Sequence, residues 1–302
     1  MQGASEDHLR EMKRIIHYML HTKNKGLKME PIIEEDETGR VKHVIKGICD
    51  ATWSSDKDER VDEEGMSLYK SGTGSLMYLL KHSRPELSNC IRELSKAMQG
   101  ASEDHLREMK RIIHYMLHTK NKGLKMEPII EEDETGRVKH KIKGICDATW
   151  SSDKDDGRSV SGFIIYYMGV PISWRSRTQK HVVLSSTEAE YVGISEVVKE
   201  IMFVKQFLEE LNIIVEKPIK VYVDNVGAIY MSKSNLNSTA TRHVNIRYHY
   251  VREFVADGLI EIIFVRTDDN DSDLMTKNLH KGPFEKHSDK LVEEIPEMYI
   301  LD

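Results

Sequence analysis

Residues 141–176 read KIKGICDATWSSDKDDGRSVSGFIIYYMGVPISWRS, and their pattern of strands and turns sets the fold. The segment KIKGICDATW at 141–150 predicts a strand, because a short apolar run is bounded by polar turn residues. The segment SVSGFIIYYMGVPISWRS at 159–176 predicts two further strands that turn at Met168-Gly169-Val170. Strands joined by a short turn pair with each other, so we expect an antiparallel hairpin after the first strand.

A long amphipathic helix is predicted to follow the hairpin, over residues 184–212. Its start carries the capping-box order Ser185-Ser186-Thr187-Glu188, in which a hydroxyl group caps a free amide and a glutamate reaches back. Further strands are predicted at 220–224 and 259–266, and further helices at 225–234, 241–258 and 270–279. This alternation predicts an α/β fold with a five-stranded mixed sheet and helices packed on it.

Four acidic residues fall where such a sheet could gather them. Asp147 lies near the end of the first strand, and Asp224 lies at the end of the fourth. Glu190 lies in the first turns of the long helix, and Asp273 lies at the start of the last helix. Clustered carboxylates repel one another unless a cation lies among them, so the pattern indicates Mg²⁺ or Mn²⁺. A chance arrangement stays open, because the chain holds 50 acidic residues and Asp is a common helix cap.

Composition argues against several classes of protein. The 302 residues are 39% hydrophobic and 31% charged, which suits one domain of ordinary size with appendages and not a disordered chain. A formal net charge of −6 lacks the basic character of a simple nucleic-acid binder, so phosphate binding would need metal ions. Three cysteines cannot build a disulfide framework, and the amino terminus has no apolar signal segment. We therefore expect an intracellular protein that is neither secreted nor inserted in a membrane.

An internal repeat occupies the first half of the chain. Residues 1–58 reappear at 98–155 with one mismatch, Val44 against Lys141. A solenoid needs about three or more repeats, so two near-identical copies indicate a segmental duplication or a misjoined reading frame. Each copy predicts one amphipathic helix, and in the second copy the apolar positions are Leu106, Met109, Ile112, Ile113, Met116 and Leu117.

A series of motifs in this chain resembles the carboxyl-terminal part of copia-type retrotransposon polyproteins. The motifs are, in order, SLYKSGTGSLMYLLKHSRPELSNCIRELSKAM, HLREMKRIIHYMLHTKNKGL, GICDATW, SSTEAEYVGISE, VYVDNVGAI, RHVNIRYHYVRE and SDLMTKNL. The resemblance extends from about residue 66 to about residue 290, and it implies an RNase H-like fold behind a mainly helical amino-terminal extension. Together with the repeat, it divides the chain into a duplicate at 1–58 that we expect to be non-functional, the tail or connection of a reverse transcriptase at 59–139, and an RNase H-like domain at 140–295.

The resemblance implies that Asp147, Glu190, Asp224 and Asp273 are the catalytic acids and hold two ions of Mg²⁺, with Mn²⁺ as a possible substitute. Glu190 and not Glu188 matches the family's glutamate, and residues two apart on a helix point about 200° away from each other. Two features depart from the family. The chain reads Asp147-Ala148-Thr149-Trp150 where the family has D-A-D-W, and the loop 266–271 has no histidine.

The implied activity is metal-dependent endonucleolytic hydrolysis of the RNA strand of RNA/DNA hybrids during reverse transcription. The implied partners are the hybrid itself and the polymerase part of the same polyprotein, in a cytoplasmic retroelement particle or in the nucleus. Candidate contacts to the hybrid are Arg175, Arg177, Gln179, Lys180, Arg242 and His243. Each of them could equally belong to a solvated basic face.

The sequence also bears on three other interpretations. The segment Tyr222-Val223-Asp224-Asn225 resembles a polymerase palm motif but lacks the second aspartate, so we do not expect polymerase activity. A non-catalytic retroelement remnant that serves as a structural or nucleic-acid-binding module stays open as the main alternative. Integrase-like strand transfer is disfavoured, because integrases use a different spacing of acids.

Overall fold

The computed structural model describes residues 60–153, 156–233 and 245–295, with only the backbone described for 245–249. The first copy of the repeat, residues 1–58, therefore lies outside the described residues. Within the described ranges, no helix is both long enough and apolar enough to cross a membrane.

Helices form the amino-terminal part of the described chain. They are α1 (Glu63–His82), the 3-10 turn Pro85–Leu87, α2 (Ser88–Lys96) and α3 (Glu103–His118). Asp62 and Ser102 cap α1 and α3, because each side chain accepts a hydrogen bond from a backbone N–H of the first turn. Tyr69 is buried between these helices, and its hydroxyl group donates to the Leu94 carbonyl at 2.6 Å. The predicted helical extension is confirmed for this part of the chain.

A short strand, β1 (Lys122–Leu124), precedes the main sheet. The sheet strands are β2 (Ile142–Thr149), β3 (Val160–Tyr167), β4 (Val170–Thr178), β5 (Ile219–Val223) and β6 (Ile260–Phe264). Their spatial order is β4-β3-β2-β5-β6. The neighbours β4, β3 and β2 are antiparallel, whereas β5 and β6 run parallel to β2. The predicted five-stranded mixed sheet is thus confirmed.

The turn between β3 and β4 lies where the sequence predicts it. Met168 and Gly169 have φ values of 50° and 84°. Positive φ at both central residues is the signature of a type I′ turn, whose twist matches that of the flanking strands. Glycine adopts this conformation without steric cost, so Gly169 favours the tight hairpin.

Helices connect and cover the strands. They are α4 (Ser186–Glu210), α5 (Val226–Lys233), α6 (Asn245–Ala256), α7 (Asp273–Thr276) and α8 (Lys281–Ser288), and a last strand is β7 (Val292–Glu294). The predicted last helix, 270–279, shortens to the single turn α7. The sequence pattern did not predict α8 or β7.

The predicted capping box of α4 forms with one difference. The Ser185 hydroxyl oxygen accepts a hydrogen bond from the Glu188 N–H at 3.1 Å. Glu188 reaches back, but its carboxylate accepts from the N–H of Leu184 at 2.9 Å, one residue before the cap. Both bonds satisfy amides that helical hydrogen bonding would leave free.

Different helices pack against the two faces of the main sheet. Against one face lies α4, and Gly144 permits its close approach, because a Cβ atom there would lie 2.8 Å from Ile201 and 2.9 Å from Val197. On the opposite face, Ile145 and Ile164 pack with Met275 of α7. Burying these apolar side chains is the main source of stability for the sheet.

The amino-terminal helices pack against strand β4 of the main sheet. The Trp174 indole N–H of β4 donates to the Leu80 carbonyl of α1 at 2.9 Å. Arg92 of α2 donates from Nε to the Ser176 hydroxyl oxygen at 2.9 Å. Strand β1 pairs antiparallel with β7, so residues 122–124 join the carboxyl-terminal end of the described chain.

Candidate metal centre

Three carboxyl groups meet where the neighbouring inner strands β2 and β5 end. Asp147, Glu190 and Asp224 each offer an oxygen, and these three oxygens lie within 4.8 Å of one another. Strands β2 and β5 are parallel neighbours with Ile145 opposite Tyr222, so Asp147 and Asp224 both lie two residues further along, at the same level. Asp224 directly follows β5, and the first turns of α4 bring Glu190 to both aspartates.

The surroundings of Glu188 and Glu190 differ as the predicted helix register requires. Glu190 is 5% exposed and lies beside the two aspartates. Glu188 lies at the start of the helix, where its carboxylate accepts a hydrogen bond from the Leu184 N–H. The geometry therefore brings Glu190, and not Glu188, into the acidic group.

Burial and mutual repulsion disfavour negative charge in this group. Burial, followed by the charges of Asp147 and Asp224, raises the pKa of Glu190 to about 9. Burial is also the main cause of the raised pKa of Asp147. The Glu190 Oε2 atom is buried and has no hydrogen-bond partner among the described residues. A divalent cation would supply the missing partner and offset the repulsion, so these oxygen ligands fit Mg²⁺ or Mn²⁺.

The fourth predicted acid, Asp273, lies beside this group but is not one of the three. It opens α7 and is buried, and a lysine lies between it and Asp147. The Lys277 ammonium group lies 2.7 Å from Asp273 Oδ1 and 3.1 Å from Asp147 Oδ1. Burial and the negative charge of Asp147 raise the pKa of Asp273 to about 6, although Lys277 opposes the shift.

Two residues of the centre were not predicted from the sequence. Lys277 joins Asp147 to Asp273, and the Thr276 hydroxyl group donates a hydrogen bond to Asp147 Oδ2. A lysine four residues after an aspartate on a helix is a recognisable pairing signal, so Lys277 could have been linked to Asp273. Its contact with Asp147 depends on how α7 packs on the sheet, and no local pattern indicates that.

The candidate hybrid contacts are distributed unevenly. Arg175, Arg177 and Lys180 are exposed on or just after the edge strand β4. Gln179 requires a correction, because it is 3% exposed and its amide nitrogen donates to the Ser161 hydroxyl oxygen at 2.6 Å and to the Ala189 carbonyl at 2.9 Å. A direct contact with nucleic acid does not fit that burial. Arg242 and His243 lie outside the described residues.

The fold and the site together define an RNase H-like α/β protein with a candidate divalent-metal centre. Solved RNase H structures resemble it weakly. The LC11 RNase H1 in complex with an RNA/DNA hybrid covers 45% of this chain and 94% of its own, at 11% identity and a TM-score of 0.34. The fold assignment rests on the strand order given above.

Sequence comparison gives the particular family. The chain is 35% identical over 223 residues to the retrovirus-related Pol polyprotein from transposon RE1 of Arabidopsis thaliana. It is 33% identical over 220 residues to the corresponding polyprotein from transposon TNT 1-94 of Nicotiana tabacum. The matches cover 74% and 72% of this chain, but only 15% and 16% of those polyproteins. Over this part of its length the chain is a homologue of copia-type Pol polyproteins, as its motifs predicted.

A shorter relative is also similar. Secreted RxLR effector protein 161 of Plasmopara viticola is 36% identical over 132 residues, which cover 44% of this chain and 87% of that protein. No protein-family model matches the chain.

Proposed function

We propose that residues 140–295 are a ribonuclease H that hydrolyses the RNA strand of RNA/DNA hybrids endonucleolytically and depends on Mg²⁺ or Mn²⁺. One observation carries the proposal: the buried carboxyl groups of Asp147 and Glu190 and the half-buried one of Asp224 converge, and a buried Glu190 oxygen there lacks a partner among the described residues. The homology to Pol polyproteins fits this activity in reverse transcription. Residues 59–139 are proposed as the tail of a reverse transcriptase, and the polymerase part of the polyprotein as a partner.

Asp147, Glu190 and Asp224 would hold the divalent ion. A bound ion would lower the pKa of an attacking water molecule and stabilise charge on the phosphate group. Thr276 and Lys277 both contact Asp147, so they fix the orientation of its carboxylate. Asp273 would contribute through Lys277, whose ammonium group contacts both Asp273 and Asp147. Cleavage would leave 3′-hydroxyl and 5′-phosphate ends.

The hybrid would be held without reading its sequence. Arg175, Arg177 and Lys180 are exposed cations along one edge of the sheet and would contact phosphate groups. RNA would be distinguished from DNA by its 2′-hydroxyl groups and by the shape of the minor groove. Arg242 and His243 stay predicted contacts.

The test is cleavage of a labelled RNA strand annealed to DNA, with the full chain. We expect cleavage with Mg²⁺, none with a chelator, and none with Asp147→Asn. Glu188→Gln is the matched control, because it changes an acid of the same helix that lies outside the group, and it should cleave normally. Hybrid binding without cleavage in Mg²⁺ or Mn²⁺ would contradict the proposal and favour a non-catalytic remnant.

A further inference from the structure

Lys277 divides the four acids of the candidate centre into two unequal groups. Its ammonium group lies within 3.1 Å of one oxygen of Asp147 and within 2.7 Å of one oxygen of Asp273. Asp147, Glu190 and Asp224 form the larger group, of three acids. A positive charge belonging to the protein thus occupies the space between the first and the fourth acid.

The two sides of Asp147 differ in what they can offer a metal ion. Its Oδ1 atom is paired with Lys277, and its Oδ2 atom accepts a hydrogen bond from Thr276. On the side of the three acids, the Glu190 Oε2 atom is buried and unpartnered. Between Asp147 and Asp273, the lysine already pairs with one oxygen of each carboxylate. The unpartnered oxygen therefore lies among the three acids and not between Asp147 and Asp273.

The position of Lys277 is supported from several directions. Its side chain is 31% exposed, and it directly follows α7, four residues after Asp273. The two carboxylates compensate the positive charge of the ammonium group. An ion arriving between Asp147 and Asp273 would have to displace it.

We propose that Lys277 is a positioning residue that takes the place of a second metal ion, so that the centre binds one divalent ion strongly and a second only in competition with the lysine. The inference rests on the proposed function, because it assumes that the three acids hold a metal ion. It differs from a symmetric pair of ions held by all four acids. Asp273 then serves mainly to hold Lys277 in place.

The test is titration of the metal-free full chain with Mn²⁺, followed by calorimetry. We expect one strong site in the unmodified protein. In Lys277→Gln the positive charge is removed, so a second ion should bind, with an affinity about 10- to 100-fold higher than any second site of the unmodified protein. Lys281→Gln is the matched control. Lys281 is exposed, and its ion pair at 3.8 Å is with Glu285, which is not one of the four acids. That variant should keep one strong site.

A second variant protects the test against a folding defect. Lys277→Arg keeps a positive charge, so it should keep one strong site and, like Lys277→Gln, is checked by circular dichroism. In the double variant Asp273→Asn with Lys277→Gln, the second ion should be lost again, because one of its two carboxylate ligands is gone. Cleavage by Lys277→Gln should also reach half its maximum at a lower Mg²⁺ concentration.

The outcomes separate this inference from the proposed function. Two equally strong Mn²⁺ sites in the unmodified protein, or one site in folded Lys277→Gln, would overturn the role of Lys277 while leaving the metal centre in place. Absence of any Mn²⁺ binding to the unmodified protein would overturn the metal centre itself, and the inference with it.

Discussion

Glu188 and Glu190 lie two residues apart on α4, but they have different physical tasks. The Glu188 carboxylate accepts a hydrogen bond from the Leu184 N–H, so it stabilises the end of the helix. Glu190 is buried beside Asp147 and Asp224, where it adds repulsion that a cation would offset. A group that lowers the stability of the metal-free protein and is nevertheless buried is a candidate for function.

The two glutamates therefore give opposite predictions. Glu190→Gln should lower hybrid cleavage about 100-fold or more, because it removes a metal ligand. The same change should raise the stability of the metal-free protein at neutral pH, because the unfolded chain then no longer gains from ionising a carboxyl group that burial keeps protonated. Glu188→Gln should keep cleavage and cost at most about 1 kcal/mol of helix capping. Cleavage rates and urea unfolding measure both effects, and the reverse pattern would show that the helix register is misassigned.

The same carboxyl groups predict how stability depends on pH. Burial, before any charge effect, raises the pKa of Glu190 to about 9 and of Asp273 to about 6. In the unfolded chain such groups titrate near pH 4. Between these values the folded state binds more protons than the unfolded state, so the free energy of unfolding should fall as the pH rises from about 4 to about 9.

Thermal unfolding in a chelator from pH 5 to pH 9 measures this dependence. Mg²⁺ should restore stability most at the high end, where the carboxylates are charged. Glu190→Gln should flatten the curve, whereas Glu188→Gln should not. A chelator-treated protein whose melting temperature rises toward pH 9 would contradict the prediction.

At the level of elements, the contact between β3 and α7 positions the acids. A Cβ atom at Gly162 would lie 2.2 Å from the Met275 Cβ atom and 2.9 Å from Thr276. Gly162 is paired with Asp147 across the strands, and Thr276 donates to Asp147, so this contact holds α7 directly over the site. The turn α7 carries Asp273 and precedes Lys277. Its packing against β3 therefore sets the positions of Asp273 and Lys277.

Gly162→Ala should separate α7 from the sheet. We expect a loss of about 1 to 3 kcal/mol in the free energy of unfolding, from overpacking. Cleavage should fall as well, because Thr276 and Lys277 move away from Asp147. Gly74→Ala makes the same chemical change on the exposed side of α1, where a Cβ atom meets nothing within 4 Å. It should stabilise the protein by up to about 1 kcal/mol. Equal effects of the two changes would contradict the role of the β3–α7 contact.

At the level of the whole molecule, the duplication raises the question of which copy enters the sheet. In the structure the second copy forms β2, between β3 and β5. The sheet has one position for this strand, and the hairpin that pairs with it follows the second copy closely, which lowers the entropy cost of closing the loop. Residue Asp50 of the first copy lies outside the described residues, although its local sequence matches that around Asp147.

Deleting residues 1–58 should leave the fold and the cleavage activity intact. Asp50→Asn should likewise cleave normally, whereas Asp147→Asn, the same change in the same local sequence, should abolish cleavage. Thermal unfolding and the hybrid assay measure these effects. Failure of the deleted protein to fold would show that the first copy is structural.

Deleting residues 1–139 should have a different result. The deletion removes the Leu80 carbonyl that accepts from Trp174, the Arg92 side chain on Ser176, and β1, the pairing partner of β7. We expect a lower melting temperature and faster hydrogen exchange in β4. A protein of 140–295 that melts at the temperature of the full chain would instead support an independent domain beginning at residue 140.

The sequence by itself determined the elements whose signals are local. Apolar strand patterns located β2, β3 and β4, a turn was expected at Met168-Gly169-Val170, and the cap of α4 was expected at Ser185. The three converging acids were also found from the sequence, because strand ends and helix starts are recognisable and their order implies a common edge.

Only the tertiary structure decided the contacts between residues far apart in the chain. The pairing of β1 with β7, the burial of Gln179 and the insertion of Lys277 between Asp147 and Asp273 depend on which surfaces meet when the chain packs. A residue's type and spacing describe what it can bond with, but burial and partner geometry are properties of the packed whole. The closest approach of β3 to α7, at Gly162, therefore decides the surroundings of Asp147.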